Sequence, residues 1–345
     1  MAVDLKNRCV TDRRRFSLQA SVLIILAVAC SQSACQPKRQ SERLTVASAG
    51  RISSLDPALA STTGALQVLS ALGDTLYIRG NNGDFEPQLA ASKPEVSLDR
   101  LSITIPLRRD VLFHDGSRFD AKAMAFSLNR FLRIGSQRYL LSNRIAAIET
   151  PNPFEIRLRL KQPSSSIESL LTSPYLTPVS PKAYANHADR FLNDRFIGTG
   201  PYTLSSFRNT QQRLLPFRQY WGAPPNNVGL DLINLSNSTA LFGALISGEV
   251  DVLLSNSIDE DQKRALSQRA GKTLLQESKG PAMNITFVTL RSNSPPLQSQ
   301  TVRRALAHSL DRRLISRRVS YSQREPLRSL IPPSLRGGKT EPWPT

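Results

Sequence analysis

LSITIPLRRDVLFHDGSRFDAKAMAFSLNRFL, residues 101–132, changes its apolar period once, and that change decides the fold class. Leu101, Ile103, Ile105 and Leu107 alternate with other residues, the spacing of a half-buried strand. Val111-Leu112-Phe113-His114 then runs into an Asp115-Gly116 turn. Asp120 is a good N-cap, and Ala121, Met124, Ala125, Leu128, Phe131 and Leu132 fall on one face at helical spacing. Strand, turn and helix in so short a span predict an α/β fold.

Outward from this stretch the same mixture continues without a regular alternation or an internal repeat. Leu44-Thr45-Val46-Ala47 reads as a short buried strand, followed by a turn-rich segment ending Ser54-Leu55-Asp56-Pro57. Asn81-Asn82-Gly83-Asp84 is a turn signal. Phe154, Ile156, Leu158 and Leu160 alternate with charged residues, which predicts another strand. Ser238 can cap a helix through Ala240–Ser247 that stops at Gly248, with Val250–Leu254 continuing as a strand. Late in the chain, Val302, Ala305, Leu306, Ser309, Leu310 and Leu314 share one face of a single amphipathic helix.

With 345 residues the chain can bury a sizeable core, and the length suits about two domains. After the first thirty residues no apolar run reaches the roughly 20 residues that cross a bilayer. The formal net charge is +18, which permits contact with nucleic acid or an anionic membrane. The basic residues are spread out, thickening only at Arg303, Arg304, Arg312, Arg313, Arg317 and Arg318. Neither zinc-finger spacing nor an aromatic-studded RNA-binding signature accompanies them. A solvated basic surface is therefore expected, without a nucleic-acid partner.

The N-terminus carries an export pattern. Lys6, Arg8 and Arg13-Arg14-Arg15 form a basic region before the apolar run Leu18–Ala29, which has secretory rather than membrane-spanning length. Asp12-Arg13-Arg14-Arg15-Phe16 resembles a twin-arginine signal, although Ser17 stands where a hydrophobic residue is usual, so general secretion stays open beside it. Ala27-Val28-Ala29-Cys30 looks like a lipobox, which makes Cys30 the lipidation candidate; cleavage near Ala34 is the alternative. Two or more acyl chains would hold the product at the membrane, since each buried methylene contributes about 0.8 kcal/mol. Cys9 falls in the leader, and Cys35 is left without a partner in a polar tether.

In their order along the chain, several short motifs resemble the extracellular solute-binding proteins of the peptide/nickel family, receptors of ATP-driven importers. They are Ser54-Leu55-Asp56-Pro57, Leu107–Gly116 with its helix, Gly198-Thr199-Gly200-Pro201-Tyr202, Tyr220-Trp221 and Gly248-Glu249-Val250-Asp251. Asn284, Val302-Arg303-Arg304-Ala305-Leu306 and Asp311-Arg312 complete the series, and the likeness runs from about Leu44 to Gly338. The physical reading of each piece is mostly structural: turns, a chain reversal, a local ion pair.

This resemblance implies a periplasmic-binding-protein-like bilobal clamshell of class II with an extra domain inserted in the first lobe. Residues 1–29 would be the signal peptide and 30–43 a lipid-anchored linker. Lobe I would take 44–65 plus 181–280, and the inserted domain 66–180. Lobe II would start at 281–345, where the family pattern breaks off, so an incomplete second lobe with exposed Leu306, Leu310 and Leu314 is expected. Such a chain would be unstable or non-binding alone unless a second chain completed it. A non-functional receptor remnant and a basic surface-binding exported protein are the competing readings.

The implied partners are a peptide or other small solute, ABC transporter permease subunits, and the membrane through the lipid anchor. Nickel chelate, oligosaccharide and haem stay open as ligands. Ligand contacts are expected at Arg51, Ile52 and Ser53, after the first strand, where backbone pairing and a ligand carboxylate on Arg51 would combine. An exposed turn arginine is the plain alternative for Arg51. No cofactor, metal or catalytic residue is implied. His114, His187 and His308 lack metal-ligand spacing, and neither a phosphate-binding loop nor a nucleophile elbow is present.

Overall fold

A computed structural model of the chain describes residues 43–80, 84–187, 189–254, 257–273, 275–278, 285–321, 324–327 and 329–332. The expected signal peptide, Cys30, the expected linker except Arg43, the turn residues Asn81-Asn82-Gly83 and Asn284 lie outside the described residues.

The elements follow in order β1 (Leu44–Ala49), α1 (Thr63–Leu72), β2 (Tyr77–Arg79), β3 (Phe85–Pro87), β4 (Glu95–Val96) and β5 (Ser102–Pro106). Next come α2 (Ala121–Ile134), α3 (Tyr139–Ser142), β6 (Ile145–Asn152), β7 (Glu155–Leu160), α4 (Ile167–Leu170) and α5 (Pro181–Tyr184). The remainder is β8 (Tyr202–Arg208), β9 (Gln211–Pro216), β10 (Leu230–Leu235), α6 (Ser238–Ile246), β11 (Val252–Leu253), α7 (Glu260–Arg269), α8 (Gln300–Ser309) and α9 (Arg312–Ser320).

One sheet has the order β11-β1-β10-β9-β8, with β1 parallel to both β10 and β11. A second, antiparallel sheet has the order β4-β5-β7-β6. Strand β5 buries Ile103 and Ile105, and β7 buries Ile156, Leu158 and Leu160, so the period-2 pattern sets the inward face. Helix α2 covers that face with Ala121, Met124, Leu128 and Phe131, its N-cap Asp120 accepting from the Ala123 amide.

Two apolar clusters form. Residues of β5, α2 and β7 build one with Leu76, Phe113 and Phe119. Ile52, Leu55, Leu69, Leu72, Tyr184 and Phe196 build the other, with the inner faces of β8–β10. Helix α1 contributes Val68, Leu69 and Leu72 to this second cluster. A smaller group joins Ala47, Leu241, Ala244, Val250 and Ile258.

Three local expectations change. Asn237, not Ser238, caps α6, accepting from the Ala240 amide; the Ser238 hydroxyl instead donates to Asp259. The late helix is two helices, because Asp311 caps a new start by accepting from the Leu314 amide. The first strand buries only Ala47 fully, and Leu44 is exposed.

Candidate functional site

In open sheets with parallel strands, ligands sit beyond the carboxyl ends of the strands, where side chains and helix starts converge. Strands β1, β10 and β11 run parallel; β1 and β10 end level at Ala49 and Leu235, and β11 ends at Leu253 beside Ala47. The Ala49 amide donates to Ser257 Oγ at 3.0 Å, and the Gly50 amide reaches the Leu235 carbonyl at 3.4 Å. Gly50 has φ +87, the left-handed region open to glycine, which lets the chain turn out of the sheet. Two helix starts flank this rim. Asn237 caps α6, and Thr62 caps α1, where a Cβ built on Gly64 would lie 3.7 Å from Ser48 Oγ and from Ile52.

The three expected contact residues are placed differently. Arg51 is exposed, and among the described residues its guanidinium has no ion-pair or hydrogen-bond partner. Ser53 is exposed as well. Ile52 is 2% exposed, its side chain lies in the core, and its amide donates to the Asn209 carbonyl. Since β1 already has β10 and β11 on its two sides, backbone pairing with a ligand is restricted to the segment after the strand.

Behind the rim stand two buried polar clusters. Asp56 is fully buried and receives both terminal nitrogens of Arg130, at 2.8 and 2.7 Å. The Ala58 and Leu192 amides donate to the same carboxylate, and Arg130 also donates to the Arg190 carbonyl. Every strong acceptor of Asp56 is thus used inside, so it braces the turn after β1 against α2 and the 190–192 loop.

The second cluster centres on Asp74. Its carboxylate accepts from Gln88 Nε2 at 2.8 Å, Trp221 Nε1 at 2.9 Å, the Tyr220 hydroxyl at 3.1 Å and the Thr199 hydroxyl at 3.1 Å. Arg108 stacks over the Trp221 ring at 4.2 Å. Burial pushes Asp74 up to about 6 against the opposing pull of those donors. The Gly198-Thr199-Gly200 and Tyr220-Trp221 motifs therefore meet at one carboxylate. Gly200 is required there because a Cβ would fall 2.4 Å from the Gly73 backbone nitrogen. His114 lies beside the same loop, with Nε2 3.0 Å from the Gly200 carbonyl, and burial pushes it down to about 4.

Asp74 and Arg130 are absent from the sequence reading. Each had one faint signal: Asp74 interrupts the apolar run Leu72–Tyr77, and Arg130 falls on the buried face of α2 with Ala123 and Ser127. An open recess of about 380 Å³ lies elsewhere, lined by Asp115, Ala183, Asp194, Arg195, Phe196, Ile197 and Leu204. Among the described residues no group of three or more His, Cys, Asp or Glu is arranged to hold a metal ion.

The parallel rim and the attached antiparallel sheet define an α/β fold shared with periplasmic binding proteins. A Brucella suis protein, NikA, solved with Fe(III)-EDTA, superposes with TM-score 0.72 at 23% identity, covering 84% of this chain and 59% of its own. The Helicobacter pylori protein DppA, solved with the peptide STSA, gives TM-score 0.69 at 21% identity over 88% of this chain and 64% of its own. In sequence, the Glutathione-binding protein GsiB of Salmonella paratyphi A is 26% identical over 324 residues, 91% of this chain and 61% of that protein. The chain thus spans about three fifths of the length of the curated relatives it matches. The family model for bacterial extracellular solute-binding proteins, family 5 (Middle), matches residues 84–345. The chain belongs to this family.

Proposed function

We propose that this chain is the solute-capturing component of an ABC importer, taking a peptide or a similar small polar solute outside the cytoplasmic membrane. Family membership is the observation that carries the reading. The glutathione-binding and peptide-bound relatives support a peptide-like ligand. The rim after β1 supports the place: Arg51 is a cation with no partner among the described residues, free to take a ligand carboxylate, with Ser53 beside it. Segments 44–65 and 181–280 act as the first lobe, 66–180 as an inserted domain and 281–345 as the start of the second lobe. Export through the N-terminal leader and acylation of Cys30 keep the receptor beside its permease.

Calorimetric titration with glutathione and with short peptides tests this. Saturable binding is expected, and Arg51→Ala should weaken it several-fold, as loss of one charge-assisted contact does. Unchanged affinity removes Arg51 from the site, and no binding to any solute refutes the receptor reading. In cells, acyl label should enter the parent and not Cys30→Ser.

A further inference from the structure

Ser48 and Asn234 are register partners at the rim, each the last residue but one of its strand. Asn234 Nδ2 donates to Ser48 Oγ at 2.8 Å. Asn234 is only 9% exposed, and its Oδ1 has no hydrogen-bond partner among the described residues. Strand β10 lies between β1 and β9, so this bond is internal to the first sheet. A buried carboxamide oxygen without a partner is destabilising. Leucine at this position would instead continue the apolar row of Leu230 and Leu232 on the same face of β10. Packing alone therefore does not call for asparagine, and its side-chain bond runs to Ser48.

That bond restricts where the Ser48 hydroxyl can point. With a lone pair of Oγ engaged by the Asn234 amide, the hydroxyl hydrogen turns away from β10. It has no acceptor among the described residues. The oxygen stands beside the first turn of α1, where a Cβ built on Gly64 would lie 3.7 Å from it. The Thr63 and Gly64 amides of that turn have no acceptor within the helix. Arg51 follows on the same connection, its guanidinium without a partner among the described residues. A hydroxyl hydrogen, two helix-start amides and a guanidinium are all donors, and the helix dipole adds positive potential. Such a set suits a carboxylate and offers little to an ammonium group.

We infer that Ser48 binds a solute carboxylate through its hydroxyl, and that Asn234 is the positioning residue that turns this hydroxyl outward. The inference rests on the receptor reading of the same rim and adds which end of the solute is held there. The test titrates the full chain calorimetrically with the peptide STSA carrying a free C-terminal carboxylate, and with the same peptide amidated. The parent should prefer the free acid. Ser48→Ala should weaken binding of the acid about tenfold or more, and of the amide about threefold or less, because a hydrogen bond to a charged group is the stronger. Ser48→Thr keeps the hydroxyl and should retain the preference. Asn234→Leu should reduce the preference without loss of stability in urea unfolding, and in combination with Ser48→Ala it should cost no further affinity. A preference that Ser48→Ala leaves unchanged overturns the inference while the receptor reading stands. So does an Asn234→Leu loss that adds in full to that of Ser48→Ala, and so does a parent that binds acid and amide equally. A parent that binds neither peptide nor glutathione removes the receptor reading, and the inference with it.

Discussion

His114 and Asp74 border one loop, residues 198–200, and burial moves their proton affinities in opposite directions. His114 is held neutral, its pKa lowered from 6.5 to about 4. Its contribution to stability is complete above 6.5 and is lost as pH falls towards 4. Asp74 is raised from 3.8 to about 6, so the fold favours its protonated form. Its contribution is gained as pH falls from 6 towards 3.8 and lost as pH rises through 6. Each shift amounts to about 3 kcal/mol at its limit, so the two nearly offset between pH 4 and 6. Replacing His114 with Gln keeps a donor towards the Gly200 carbonyl and removes one side of the balance. The variant's Tm should climb as pH is lowered from 6.5 to 4.5, while the parent's stays flatter; parallel profiles would refute this assignment. Little of this was legible beforehand. Apolar periodicity locates faces, and a charged residue such as Arg130 on such a face is passed over unless its partner is known. That partner, Asp56, is 74 positions away.

Elements were more legible than contacts. Strand β5, the turn at Gly116 and helix α2 follow directly from period and cap, since each depends on neighbours within a few residues. Gly116 has φ +78, as the Asp115-Gly116 turn requires. Pattern alone is ambiguous where two cap-forming residues adjoin. Asn237 and Ser238 both suit an N-cap, and Asp259 decides between them by engaging the serine hydroxyl. Asn237→Ala should therefore cost about 1 kcal/mol in urea unfolding, and Ser238→Ala distinctly less. The reverse ranking would show that the serine is the cap. Apolar positions keep phase across Leu310, the pattern of a single late helix, and only the Asp311 cap breaks it.

Across the whole molecule, the family motifs carried what local pattern could not. The period of β1 says nothing about its neighbours, which lie far down the chain at Leu230–Leu235 and Val252–Leu253. The pairing of Thr45 with the Asp251 carboxylate spans 206 positions. The candidate rim exists only when those strands meet, so its location follows from topology, and Arg51 becomes a candidate through where β1 ends. Ile52 shows the limit of that inference: a residue next to the rim in sequence turns into the core in space.

The same β1 pairing sets an order in time. Strand β1 leaves the ribosome first among the sheet strands, yet its partner strands follow only after the intervening chain has been made. At about 5–20 residues per second that delay is about 10–40 s. Meanwhile β5, β6 and β7, adjacent in the chain, can close their antiparallel sheet with little loop entropy to overcome. The segment that interrupts the first sheet should therefore mature before the sheet it interrupts. Pulse-labelled hydrogen exchange during refolding should protect amides of Ser102–Pro106 and Glu155–Leu160 before those of Leu44–Ala49. Earlier protection of the first strand would reverse this order.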